Sequence, residues 1–345
     1  MPITQPEAAR GRVRATIGHL TAAELTPDVN VLTRFTRFIA PLAPVGCFRP
    51  GWLRDVRVVC VWAVIATAAW PAATLAAEPA AVLTVLEGEA TLTVGARAQV
   101  AVVGARLPAG TLVETDLASA LLRLEWPDGS LLDLGPATRV MLRPAITSAG
   151  SSRTPLFYLL QGWAKQSQAV LGSGQVSPAF DVPAFKGVLV SQVDGATAVL
   201  FSESGGGAVM GRRSAGASAM LTLRAGEAAV LGSDGTAQQL QRPPAAWLAR
   251  IPRAFRDTLP PRLASIKGPA PALRTRGPLS YATLQHWLQA EGAIRRDFPV
   301  RFGELLSDRA FRDAITARLD QHPEWGAALR PPKAPLATSA TPATR

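Results

Sequence analysis

Few residues of this chain stand at spacings that could do chemistry, and most of those are arginines. Arg250, Arg253 and Arg256 recur at every third position beside Trp247 and Phe255, and Arg295-Arg296, Arg301, Arg309 and Arg312 follow in the same C-terminal stretch. A guanidinium is a planar fork of donors that keeps its charge across the physiological range, so it suits holding carboxylates or phosphates rather than moving protons. Trp247, Arg250, Arg253, Phe255 and Arg256 are therefore the candidate partner-binding residues. Groups suited to catalysis are sparse. His286 and His322 each lack a metal-binding partner at i+4, so a helical zinc pair is not expected, and each suits a surface or capping role. Glu125 and Asp128 could in principle serve as an acid and base pair, but the alternation around them puts one on an open strand face and the other in a turn, where solvation accounts for both. The chain has no Gly-x-Ser-x-Gly elbow and no phosphate loop, and the glycines between Gly205 and Gly211 lack dinucleotide spacing. No catalytic residue, cofactor or metal site is expected.

The elements that would carry these residues are short strands. Leu122, Leu124 and Trp126 alternate with Arg123 and Glu125, then Pro127-Asp128-Gly129-Ser130 turns the chain into a second apolar run with Leu132 and Leu134. That pattern predicts a half-buried antiparallel hairpin. Asp194-Gly195 and Asp234-Gly235 supply further positive-φ turn positions, and runs of about five apolar or β-branched residues recur from Val82 to Leu240. The fold expected is mainly β, an antiparallel β-sandwich or roll over 78–240, with a loop at Thr147 to Thr154 dividing two groups of strands and a flexible connection from Gly205 to Ala219. A small α-helical region with a Pro-rich linker is expected over 241–330, Ser280 capping a helix that carries Leu284, Trp287 and Leu288 on one face. The Pro-rich stretch 331–345 has no periodicity and reads as a disordered tail.

Charge separates the two regions. Glu78 to Leu240 holds 11 basic and 13 acidic residues, whereas Gln241 to Arg345 holds 17 and 8, so the chain's net charge of +11 belongs mostly to its C-terminal third. An anionic partner for that region follows from this balance. Val58 to Ala77 is a charge-free run preceded by Arg54 and Arg57 and closed by Ala-Thr-Leu-Ala-Ala, which reads as a signal peptide or, alternatively, a single membrane span. The arginine-rich, proline-broken stretch 1–57 reads as a weakly structured extension, either upstream of a misassigned start or a cytoplasmic segment. Both cysteines, Cys47 and Cys60, lie in or before that run, so a cleaved chain would hold no disulfide.

The ordered set Gly110, Thr115, Asp128, Gly129, Ser130, Leu134, Gly135, Pro136 and Thr138 resembles the FecR domain of bacterial envelope signalling proteins, closely over Val82 to Leu142 and loosely to about Glu203. Thr111 stands where that domain more often has Asp. The resemblance implies a periplasmic β-domain that binds or signals without catalysis. It also implies the alternative of a single-span anti-sigma transducer in iron-uptake regulation, although 1–57 lack the Trp-rich helical pattern associated with that cytoplasmic segment. Partners expected are an envelope protein or an anionic envelope polymer, with no nucleic acid, and inner-membrane anchoring belongs to the single-span alternative. The mature protein is expected to begin at or beside Glu78, which N-terminal sequencing checks. A cytoplasm-only reporter fused at Leu53 should be missing from mature protein, and its retention in active form would establish the anchored transducer instead.

Overall fold

The computed structural model describes residues 81–149, 152–212 and 220–330, and the leader, the N-terminal extension and the tail 331–345 lie outside them. Among the described residues fifteen strands form one curled antiparallel sheet: β1 (Ala81–Glu87), β2 (Ala90–Val94), β3 (Arg97–Val100), β4 (Arg106–Leu107), β5 (Leu112–Thr115), β6 (Leu121–Glu125), β7 (Leu131–Leu134), β8 (Arg139–Leu142), β9 (Phe157–Val176), β10 (Phe180–Asp194), β11 (Thr197–Gly211), β12 (Met220–Arg224), β13 (Ala228–Leu231), β14 (Ala237–Leu240) and β15 (Thr275–Gly277). The mainly-β class expected from the sequence is the class found.

The long strand β9 organises the curl. Its first residues pair with β8 and lead through β5, β2 and β3 to β15, while Ala164 to Ser167 pair with β7 and lead through β6 to β1 and β4. The two branches face each other across one apolar core containing Leu83, Leu92, Val113, Leu122, Leu124, Leu132, Leu134, Val140 and Leu159. Because side chains alternate along a strand, each branch also has an outer face, and both outer faces are covered by the C-terminal third. All three Asp-Gly pairs sit where hairpins turn, between β6 and β7, β10 and β11, and β13 and β14, with Gly129, Gly195 and Gly235 at positive φ. The chain between β1 and β2 does something different: Gly88, at φ 111°, passes it from one branch to the other, and the two strands do not pair with each other.

Two expectations are corrected. Gly205, Gly206 and Gly207 lie inside β11, paired with β10 and β12, rather than starting a flexible connection. A Cβ on Gly205 would run into the carbonyl of Lys186 and one on Gly206 into that of Leu223, so the glycines are what allows these strands to approach. The second correction concerns β6. Arg123 and Glu125 are 3% and 1% exposed instead of open to water, because the segment following β14 crosses over them. That segment contains α1 (Ala245–Arg250) and a 3-10 turn at Arg253–Phe255, and it seats Trp247, Ile251 and Phe255 against Val85, Leu121, Trp163 and Val190. Full burial of such side chains contributes about 1.5–3 kcal/mol each.

Beneath this strap the register aligns charges across three strands. Arg123 pairs with Asp133, and Asp133 with Lys165. Arg123 Nε and Nη2 donate to the two oxygens of Asp133 at 2.6 and 2.7 Å, and Nη1 donates to the Leu259 carbonyl at 2.8 Å. Lys165 donates to the Phe255 carbonyl and pairs with Glu203 at 2.9 Å. Glu125 accepts from the Thr84 hydroxyl at 2.7 Å and from the backbone N–H groups of Arg262 and Leu263. Removing one member of a buried ion pair strands the other, which costs about 3–5 kcal/mol, whereas an apolar replacement of both is far milder. Arg123→Ala is therefore expected to lose that much in urea unfolding, and the double variant Arg123→Leu/Asp133→Leu clearly less. Equal losses in the two would remove this account of the strap.

Candidate functional site

The strap divides its own residues into an inward and an outward set. Trp247 and Phe255 are 5% and 0% exposed, Trp247 lying 5.4 Å from the Trp163 ring and edge-on to Phe201. As placed, these two aromatics are packing residues and do not present themselves to a partner; the period that set them beside the arginines is the period of a segment lying on a sheet. Arg250, Arg253 and Arg256 point the other way and are exposed. Arg242 and Arg262, at the ends of the same segment, are exposed too. Among the described residues none of these five guanidiniums has a carboxylate within ion-pair distance. Beneath the strap, Asp133, Glu125 and Glu203 are committed to Arg123, to strap backbone and to Lys165, while Asp257 in the strap itself is exposed.

Helices cover the other outer face: α2 (Tyr281–Leu288), α3 (Gly292–Arg295), α4 (Phe298–Arg301) and α5 (Arg309–Thr316). Ser280 caps α2 through a reciprocal box with Thr283, and Asp308 caps α5 by accepting the Ala310 N–H. Leu284, Trp287, Leu288, Ile294, Phe298, Phe311, Ile315 and Trp325 join Leu112, Met141 and Tyr158 of the sheet in a second core. Arg301 donates to the Gly110 and Thr93 carbonyls, and burial lowers its pKa to about 10. Arg295 is likewise spent on the Leu288 and Gln321 carbonyls, and Arg309 pairs with Asp313 within its own helix. Of the arginines singled out by sequence, the strap's three and Arg296, Arg309 and Arg312 remain outward.

Between α2 and the sheet lies a cleft of about 370 Å³, lined by Thr91, Thr93, Ala98, Glu114, Arg139, Arg276, Leu279, Ala282, Leu284 and His286 among others. Its floor is a second cross-strand polar row: Gln161, Arg139, Glu114 and Thr91 are direct neighbours on β9, β8, β5 and β2. Arg139 donates to Gln161 at 2.9 Å, and the Trp287 indole donates to Glu114 at 2.7 Å. Arg139 Nε stands 3.4 Å from the free Glu114 oxygen without the alignment of a hydrogen bond. Sequence reasoning missed this cleft because its members come from four strands and a helix far apart in the chain.

The two histidines among the described residues sit apart. His286 is exposed at the cleft, and partial burial together with Arg139 lowers its pKa. His322, expected in a surface or capping role, is fully buried and makes no side-chain cap bond: Arg295 donates to its Nδ1 at 3.1 Å, which places the ring proton on Nε2, 2.9 Å from the Tyr281 hydroxyl. Burial lowers its pKa, with Arg295 and Arg318 acting in the same direction and Glu324 opposing. Buried Asp181 is pushed the other way, upward, by burial, although the Ala149 N–H opposes this. Among the described residues no group of three or more His, Cys, Asp or Glu side chains could hold a metal ion, and no helix is long and apolar enough to cross a membrane.

No protein-family model matches the chain, and no curated protein matches it in sequence. A histidine held neutral in the fold binds fewer protons than it does unfolded, so stability rises with pH across its titration. Unfolding free energy is expected to be full above the unfolded value of about 6.5 and to fall as pH drops below it towards the lower folded value. His322→Gln should flatten that slope in denaturant titrations from pH 7.5 to 5, and His286→Gln, at an exposed site, should change it little.

Proposed function

We propose that this chain is an exported, non-catalytic binding or scaffolding protein of the bacterial envelope, built on a FecR-like β-domain, with an envelope protein or an anionic envelope polymer as partner. The observation that carries the reading is the outward row on the strap. Arg242, Arg250, Arg253, Arg256 and Arg262 are exposed on a segment fixed to rigid sheet by buried ionic contacts, with Asp257 as its one acidic residue. Unpaired guanidiniums on an immobilised backbone are preorganised for carboxylates or phosphates, since little ordering entropy remains to be lost on binding.

The residues that resemble the FecR domain support the domain assignment through structural roles. The Thr115 hydroxyl donates to the Gly135 carbonyl and accepts the Thr138 N–H, the Thr138 hydroxyl accepts the Trp163 N–H, and Asp128 accepts the Ser130 N–H inside the hairpin turn. A Cβ at Gly135 would press on Pro252 of the strap and on Trp163, so the motif and the strap fit one another. These roles describe a framework and leave recognition to its surface.

Cross-linking in intact cells, followed by mass spectrometry, tests the reading. Arg253→Gln/Arg256→Gln should reduce capture of envelope components several-fold while thermal unfolding stays within about 0.5 kcal/mol of the parent, as expected for exposed sites. Unaltered capture would exclude the row, and recovery of a stoichiometric sigma factor would replace the reading with that of a transmembrane transducer.

A further inference from the structure

Beyond the end of the strap, part of the outer sheet face is left without a cover. Leu131, Ser167, Val188 and Ser204 stand opposite one another on β7, β9, β10 and β11, and all four are at least partly exposed. Pro261 of the strap and Ala169 of β9 border this shelf. At Ala169 the strand departs from its ladder. Gln168 opposes Gly187 and Gly172 opposes Phe185, so Ala169, Val170 and Leu171 together face Lys186 alone and bulge from the sheet. Val170 and Leu171 are 66% and 58% exposed, and among the described residues they are the only two large apolar side chains exposed in succession. The bulge is held, not loose: the side-chain amides of Gln166 and Gln168 both donate to the Ser173 carbonyl, at 2.9 and 2.8 Å, and clamp its base.

We infer that this face pairs with a second copy of the chain, the bulges of the two copies packing against each other across a twofold axis that runs along β9. Charge placement argues for self-pairing. Lys186 on β10 and Asp128 in the β6–β7 turn flank β9 from opposite sides, and both are exposed. Among the described residues neither has an oppositely charged group within ion-pair distance. Rotation about an axis along β9 exchanges the two sides, so it brings each Lys186 to Asp128 of the second copy. An isologous contact needs this self-complementarity, opposite charges set symmetrically about the axis and an apolar element upon it. A polyanion or an anionic bilayer would be attracted by Lys186 and repelled by Asp128, which separates this face from the arginine row. Gly187 and Gly205 oppose each other on β10 and β11, and their missing side chains leave room beside the bulge for its counterpart.

Sedimentation equilibrium of the protein purified from cells is the test. A reversible monomer–dimer equilibrium is expected, with a Kd between about 10 μM and 1 mM for a contact of less than standard interface size. Val170→Ser/Leu171→Ser, at exposed positions, should weaken it by about tenfold or more and leave the unfolding midpoint unchanged. Lys186→Glu and Asp128→Lys each set like charges across the axis and should be monomeric when alone, whereas their equimolar mixture restores both pairs and should dimerise as the parent does. Asp128→Asn, which keeps an acceptor for the Ser130 N–H and so preserves the turn, should weaken the dimer about threefold through loss of two exposed pairs. The inference fails if the protein stays monomeric up to about 1 mM, if the bulge variant dimerises as the parent does, or if the two folded charge-reversed variants do not complement each other. It fails also if the monomer sediments with anionic phospholipid vesicles and the bulge variant does not, which would assign the bulge to a bilayer. Arg253→Gln/Arg256→Gln should dimerise as the parent does, so this result and that of the arginine row are read separately.

Discussion

A buried ionic row under a strap is the constraint on which the rest of this molecule depends. Arg123, Asp133 and Lys165 lie in register on three neighbouring strands, and with Glu125 they fix four backbone groups of the segment between Phe255 and Leu263. Charges so thoroughly removed from water are costly unless each is paired and hydrogen-bonded. The Arg123–Asp133 pair meets this condition on itself, and the strap meets it for the remaining donors and acceptors. The two parts complete each other: the strap shields the row from water, and the row adds directed contacts to the strap's apolar anchors Trp247, Ile251 and Phe255. The apolar anchors give most of the binding energy, and the ionic contacts give the register.

The same logic holds on the opposite outer face, with helices in place of the strap. Trp287 reaches from α2 to Glu114, and Arg301 reaches from α4 to the carbonyls of Gly110 and Thr93. In both places a sheet face that would otherwise be solvated receives a cover from the C-terminal third, and a few long polar side chains tie cover to sheet. The C-terminal third is therefore a jacket over the described β-structure. Its basic excess divides accordingly: Arg295 and Arg301 are consumed in holding the jacket closed, while Arg250, Arg253 and Arg256 are left outward.

Local order was legible in the sequence, and contact between distant elements was not. The Asp-Gly turns, the alternation at Leu122 to Trp126 and the Ser280 cap all depend on residues within a few positions of one another, and each lies where the pattern placed it. Burial of Glu125 was invisible because its partners, the N–H groups of Arg262 and Leu263, are backbone atoms that carry no sequence signal. The glycines at Gly205 to Gly207 read as a loop because glycine marks loops and close strand approach alike, and only the neighbouring carbonyls of Lys186 and Leu223 separate the two meanings. His322 was misplaced for a related reason. Its burial is produced by Tyr281 and Arg295, one before and one after a turn of structure that no period in the sequence connects to it. The cleft was hidden for the same cause, since Arg139 and Glu114 become neighbours only through the pairing of β5 with β8.

This separation bears on how the family-like phrase should be understood. Gly110, Thr115, Gly135 and Thr138 each make a contact that closes a turn, joins two strands or admits the cover, Gly135 by leaving room for Pro252 and Gly110 by offering its carbonyl to Arg301. A phrase made of such residues specifies a framework to which covers can be fitted, and it constrains the ligand hardly at all. What the framework leaves uncommitted lies on its surface. On the strap that is a row of five exposed guanidiniums with one exposed acid, Asp257, among them, and the excess of positive charge leaves a positive field at that surface. The inward pairing of Arg123, Asp133, Glu125 and Lys165 thus fixes the strap, and the strap's own excess of arginine over acid sets its outward charge.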